Sequence, residues 1–208
     1  MEIHNFLKLF NKNEIEKTEN LSFIYINRKK IVTYVPLNFV DKLTFEMSFA
    51  GGGRIGNYDM CSFRMKGLGT YLPGNKTNPY KGNKGKLSFE EEVRLEIETG
   101  VNDVDKVIDA LLANHPNEEV AYEIYDFQKR SNEPSSILLT FKKPIALKEI
   151  FSKVNKKIQS ANIDNKMKFK SLCYTLESDE KKLVTGLKEK NCKLIVHTEK
   201  NKIKFKNI

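Results

Sequence analysis

An α+β fold is predicted from three observations. Between residues 30 and 128, runs with an apolar period of two alternate with two stretches of helical period. Their order is βαββαβ, and Gly, Pro and Asn fall between the runs rather than inside them. About 100 residues suit two helices covering one face of an antiparallel sheet, the ferredoxin-like arrangement. A smaller α/β part follows over 129–208, and residues 1–29 precede as an N-terminal extension.

The elements are justified in order. Ile3, Phe6, Leu7 and Phe10 outline a helical turn or two, and "LSFIYIN" a peripheral strand. "KIVTYVP" is a strand ended by Pro36. In "LNFVDKLTFEMSFAGGG", Val40, Leu43, Met47 and Ala50 share one helical face, with Asn38 a candidate N-cap and the glycines a stop. "YDMCSFRM" is β-prone and leads into a loop, "KGLGTYLPGNKTNPYKGNKGK". The run Glu90-Glu91-Glu92 reads as a solvated strand entry, and "VRLEIE" then alternates Val93, Leu95 and Ile97 as a half-buried strand. Val104, Val107, Ile108 and Leu111 repeat as a helix capped by Asn102 or Asp103 and closed by His115-Pro116. "EVAYEIYDF" alternates Val120, Tyr122 and Ile124 as the last strand of this domain.

Past "QKRSNEPSS" come a strand, "ILLTF", and a helix marked by Leu147, Ile150, Phe151, Val154 and Ile158. "SLCYTL", a helix around Leu183, Val184 and Leu187, and "KLIVH" complete a β-α-β unit. Three strands and two helices in about 80 residues make a thin core, so this part is expected to lean on the first domain or on another subunit.

The net charge of +9 is unevenly placed. Residues 129–208 hold 20 Lys/Arg against 8 Asp/Glu, and all but one of the 20 are lysine. Such a block can attract nucleic acid, but the lysines are scattered rather than gathered with arginines and aromatics, so a solvated surface is favoured. No apolar run approaches the roughly 18 residues of a membrane helix, and the first residues show no cleavable signal pattern. Cys61, Cys173 and Cys192 form no CxxC pair, which disfavours a disulfide framework or zinc ribbon and fits a cytoplasmic protein with packed thiols.

Gly51, Gly53 and Gly56 match GxGxxG literally. A phosphate loop needs a strand before it and a helix N-terminus after it. Here the glycines follow a helix and precede a strand, and the residue twenty positions beyond Gly56 is Lys76, not an acid. A helix stop and left-handed connection is the better reading.

Three separated motifs, "AGGGRIGNYDMCSF", "GTYLPGNKTNPYKGNKGKL" and "HPNEEVAYEIYDF", resemble the PII-like, CutA-like insert domain of the Nif-three-like family, the YqfO-type proteins or type-two GTP cyclohydrolase I homologues. The resemblance covers about residues 30–128. Beyond it, "KKPIALKEIFSKVNKKI" and "FKSLCYTLESDEKKLVTGLKEKNCKLIVHTE" are similar to the segments that follow the insert. Two departures stand out: Thr175-Leu176-Glu177-Ser178 replaces a glycine-rich turn, and His197-Thr198-Glu199-Lys200 replaces an acidic strand end with a following His-containing stretch.

The resemblance implies a homo-oligomer, in particular a trimer through sheet edges. It also brings a dinuclear metal site, for which His4, His115 and His197 do not suffice, so the catalytic part is expected to be lost or to sit on another chain. A non-catalytic oligomerisation or ligand-binding protein leads. The alternatives are a metal-dependent hydrolase completed by a partner chain and nucleic-acid binding through the basic part. No cofactor is expected, and the weak metal candidates are His115, beside Glu118 and Glu119, and His197. Arg54, Asn57 and Tyr58, in a tight glycine context, are candidates for a small anionic ligand or a subunit contact, and His115, Glu118 and Glu119 are further ligand or interface candidates.

Overall fold

The computed structural model describes residues 1–154, 158–160, 163–164, 166–177, 181–199 and 202–208. In chain order the elements are α1 (Ile3–Leu7), β1 (Ile15–Pro36), α2 (Val40–Phe49), β2 (Ser62–Tyr71), β3 (Ser88–Gly100), α3 (Val104–Asn114) and β4 (Tyr122–Ala146). These are followed by α4 (Leu147–Val154), β5 (Ile158–Ser160), β6 (Lys168–Thr175), α5 (Lys181–Glu189), β7 (Leu194–Glu199) and β8 (Lys202–Asn207). No described helix is long and apolar enough to cross a membrane.

The chain divides into two compact units, one contiguous, Ile26–Lys129, and one built from two segments, Met1–Tyr25 and Arg130–Ile208. In the contiguous unit the strand order is β2-β3-β1-β4. β1 and β2 both run antiparallel to β3, with Thr33 opposite Leu95 and Arg64 opposite Leu95. Because side chains alternate along a strand, Ile31, Val35, Val93, Leu95 and Ile97 point to one face. There they meet Val40, Leu43 and Met47 of α2 and Val107 and Leu111 of α3 in one buried cluster. The opposite face bears no helix in this unit. The two ends of the segment meet: Gln128 Nε2 donates to Asn27 Oδ1 at 3.0 Å, and Lys29 pairs with Asp126 at 2.6 Å.

In the two-segment unit, β4 and β6 are antiparallel, β6 and β7 parallel, β7 and β8 antiparallel, and β8 and β5 parallel. The parallel β6-β7 pair is joined through α5, as a parallel connection requires a crossover. Residues 1–25, expected as an extension, pack into this unit. Ile3, Phe6 and Phe10 share a buried cluster with Phe141, Leu147, Tyr174 and Phe205. They supply the apolar mass that the second part was expected to find outside itself.

Several local expectations are corrected. "LSFIYIN" and "KIVTYVP" are one strand of 22 residues, and "QKRSNEPSS" is strand within the 25-residue β4. Polar residues are tolerated there because their hydroxyls find partners: Ser135 donates to Glu177 at 2.6 Å, and Ser136 and Thr175 share a hydrogen bond of 2.7 Å. Asn38 does not cap α2. It lies in a 3-10 turn, Leu37–Phe39, and its amide reaches the Tyr80 hydroxyl at 3.4 Å. Val120 packs against the core, but Tyr122 and Ile124 are exposed, because β4 is the edge strand of this unit. The helix α4 ends at Val154, and Ile158 opens β5; residues 155–157 lie outside the described ones, as do Ser178 and Lys200. β8 was not predicted; it alternates buried Ile203 and Phe205 with outward Lys204 and Lys206. Cys173 and Cys192 are buried as expected, whereas Cys61 is half-buried in the loop after α2.

Candidate functional site

The glycine loop cradles nothing. Its backbone donors are already spent: Gly51 N–H on the Ser48 carbonyl at 3.0 Å, Gly52 on Met47 at 3.0 Å, and Gly53 on Glu98 at 2.8 Å. Gly53 has φ +67, and a Cβ there would lie 2.9 Å from the Cys61 carbonyl oxygen. The glycines therefore seat the chain against β3, a packing role.

Arg54 follows on the exposed side of this loop, its guanidinium 2.8 Å from the Asp59 carboxylate. Asn57 and Tyr58 are exposed in a tight turn closed by reciprocal backbone bonds between Ile55 and Tyr58. Asn57 is not in the left-handed region; Gly56 and Met60 are, with φ of 59° and 58°. Arg54, Asn57 and Tyr58 thus form one loop cluster, separate from the residues that line the main cavity of this unit.

That cavity, of about 640 Å³, lies at the hairpin end of the helix-free sheet face. Its base is β2 and β3, contributing Met65, Gly67, Gly69, Tyr71, Glu92 and Arg94, with Tyr34 of β1 beside them. Its rim is the loop after β2, with Pro73, Pro79 and Tyr80, and the stretch Asn117–Glu119. Glu118 clasps the two rims together by accepting the Asn78 N–H at 2.7 Å. The Tyr80 ring meets Phe39 edge to face at 5.6 Å.

The acidic run is not a uniformly solvated entry. Period two sends Glu91 out and turns Glu90 and Glu92 to the cavity face, where Glu90 is buried, ion-paired to Lys81 and near the Tyr71 hydroxyl at 3.3 Å. Burial, then the neighbouring Glu90 charge, pushes the Glu92 carboxyl above its ordinary value, against the opposing pull of Lys81. Arg94 is committed, donating to Glu96 at 2.9 Å and to the Tyr34 hydroxyl at 3.1 Å.

His115 stands behind the rim rather than in it. A carbonyl can only accept, so Nε2–H donates to Tyr34 O at 2.9 Å; Nδ1 accepts the Asn117 N–H at 3.1 Å. Both ring nitrogens are used, which removes His115 as a metal ligand. Burial lowers its pKa against the effect of the Tyr34 bond. With the folded-state value below the unfolded one, stability is full above about pH 6.5 and is lost as pH falls below it. The urea midpoint is therefore expected to drop between pH 7.5 and pH 5.5, and His115→Gln to flatten that dependence while lowering the midpoint at pH 7.5. An unchanged slope in the variant would assign the pH dependence elsewhere.

His197 is buried in β7 opposite Thr175 of β6. Where the resemblance implies a glycine-rich turn, Glu177 is held by Ser135 and by its own N–H on Thr175 Oγ1 at 3.0 Å. Among the described residues no three His, Cys, Asp or Glu side chains cluster closely enough to hold a metal ion. The described residues do not fit a dinuclear centre.

Tyr34, Tyr71, Tyr80, Glu92 and Arg94 were missed from the sequence. The available signal was a pair of glycines, Gly67 and Gly69, in register with Glu92 and Glu90.

No family model matches the chain. A GTP cyclohydrolase 1 type 2 homolog of Halalkalibacterium halodurans is 41% identical over 96 residues, covering 46% of this chain and 26% of that protein. The Bacillus subtilis GTP cyclohydrolase 1 type 2 homolog is 35% identical over 138 residues, 65% of this chain and 37% of that one. The chain thus spans about a quarter to two fifths of the length of these curated relatives. Among solved structures, a Bacillus cereus protein related to NIF3 matches with a TM-score of 0.55 and 21% identity, over 96% of this chain and 56% of that one.

Proposed function

We propose that this chain, a member of the NIF3-related family of GTP cyclohydrolase 1 type 2 homologs, acts as an assembly module rather than as a hydrolase by itself. The strand order β2-β3-β1-β4 with both helices on one face supports a ferredoxin-like, PII/CutA-like domain over residues 26–129.

The observation that carries the proposal is the helix-free face. Its centre is a ladder of satisfied charges: Arg28 with Glu98 at 2.9 Å, Lys30 with Glu96 at 2.8 Å, and Arg94 with Glu96. Its margins are apolar and open to water, with Phe63 (61% exposed) and Met65 on β2 and Tyr125 on β4, the two edges of this unit. Unlike patches at opposite margins suit a head-to-tail contact, which closes into a ring when the rotation between copies permits and otherwise runs on as a filament. A trimer is the ring size proposed. Closure would also protect strand edges that otherwise invite uncontrolled pairing.

Light scattering on the size-excluded full chain tests this. A trimer mass is expected at micromolar concentration, with Phe63→Glu and Tyr125→Glu each shifting it to monomer. A monomeric unsubstituted chain would refute the proposal.

A further inference from the structure

We propose that the cavity beneath the loop after β2 binds a small organic cation, its ammonium or guanidinium group seated on Glu92 among Tyr34, Tyr71 and Tyr80. The inference stands on the cavity alone and does not need the assembly proposed above.

A volume of about 640 Å³ falls within the range of roughly 300–1,000 Å³ that small-molecule sites occupy. The walls are the kind such sites use. Leu68, Leu72 and Tyr80 are left largely in water by the protein itself, at 63%, 62% and 43% exposure, and Pro73 and Pro79 stiffen the rim. An occupant would cover this apolar surface.

The sign of the occupant follows from which charges are already met. Arg94 is ion-paired with Glu96, a carboxylate it shares with Lys30, and is bonded to the Tyr34 hydroxyl. Lys81 is paired with Glu90. Glu118 accepts the Asn78 N–H. Glu92 and Glu119, both on the lining, make no ion pair or hydrogen bond among the described residues; Lys66 lines it too, but alternation between Met65 and Gly67 turns its side chain to the other face, so the charge left unmatched inside is negative. Tyrosine rings have electron-rich faces that attract cations and repel anions; those of Tyr34 and Tyr80 already face Arg94 and Lys81, each 5.8 Å from the ring centroid, and Tyr71 adds a third ring to the wall.

Space has been kept for the Glu92 carboxylate. Across the hairpin stands Gly69, where a Cβ would come within 2.2 Å of Glu92 Oε2. Any larger residue would displace the group on which the cation is to sit. This reading reverses the sign of ligand expected from Arg54, whose charge is answered by Asp59 outside the cavity.

Calorimetric titration of the full chain with 1,5-diaminopentane, 1-pentanol and pentanoate at pH 7.5 tests the proposal. The diamine is expected to bind at least tenfold more tightly than the alcohol, and pentanoate least. Glu92→Gln should weaken diamine binding by tenfold or more while leaving the melting temperature unchanged or higher, since it removes an unpaired charge beside Glu90. Gly69→Ala keeps the charge but displaces it, and should weaken binding as well. Diamine affinity retained in Glu92→Gln, or equal affinity for the alcohol or the anion, would overturn the proposal.

Discussion

Phe6→Ala is expected to cost about 3–5 kcal/mol, the usual range for emptying a buried aromatic site. Phe6 has no exposed surface. Its ring stacks on Tyr174 with centroids 3.8 Å apart and planes 5° from parallel, and it meets Phe10 edge-on at 5.5 Å. Phe10 in turn touches Phe141 at 5.3 Å. The Tyr174 hydroxyl is tied to Thr198 at 2.7 Å and to the Met1 carbonyl, so the stack cannot slide to refill the space. Residues 1–25 are therefore held by burial, although their own helix has only five residues and could not persist alone. Hydrogen exchange locates the loss: the amides of β6 should lose protection while those of β3 keep theirs. Equal loss in both strands, or none in β6, would contradict the assignment of these residues to the two-segment core.

Gly53→Ala is expected to cost about 2–5 kcal/mol. Two penalties add: a left-handed backbone with a Cβ, about 1–2 kcal/mol, and overpacking, about 1–3 kcal/mol. The atoms that the new methyl would strike, Cys61 O at 2.9 Å and Cys61 N at 3.0 Å, are backbone. They cannot withdraw without breaking the Cys61 N–H bond to the Gly53 carbonyl at 2.8 Å. Gly56 is the internal control, because its φ is +59 and nothing lies within 4 Å of a Cβ there. Gly56→Ala should show the backbone penalty alone. Denaturant titrations of the two variants read the difference directly, and equal losses would mean that the Cys61 contact contributes nothing.

The legible parts of the fold were those where one face is buried by local pattern. Val93-Leu95-Ile97 and Val107-Leu111 announced their elements because alternation and helical spacing coincide with burial there. The βαββαβ order was readable for the same reason; the glycines were readable as a helix stop and left-handed connection from the elements on either side, but not as the contact with β3. What was not readable depended on distant partners. The strand character of "QKRSNEPSS" rests on Ser22 and Glu177 meeting Ser135, contacts that no window of sequence contains. The attachment of Phe6 depends on Tyr174, far along the chain. β8 is the exception: Ile203 and Phe205 alternate between Lys202, Lys204 and Lys206, a period-two strand pattern that local sequence does contain.

The candidate site was legible only as neighbourhoods. The stretch from His115 to Glu119 was singled out as a place; Asn117, Glu118 and Glu119 line the cavity, but His115 serves the rim through Tyr34 and Asn117 rather than by exposing a lone pair. Glu92 was read as one of three like acids. Only strand register separates the buried Glu90, the solvated Glu91 and the cavity-facing Glu92.

The meeting of Asn27 with Gln128, and of Lys29 with Asp126, has a consequence for the order in which the protein can be made. A growing chain releases residues 26–129 as a whole, with every strand of their core present, so that unit can fold while the ribosome still holds the rest. Phe6 and Phe10, synthesised before that unit, have no partners in their core until Phe141, Tyr174 and Phe205 emerge. Residues made before the contiguous unit thus find their places after it, and their aromatic side chains are those a chaperone would meet during translation.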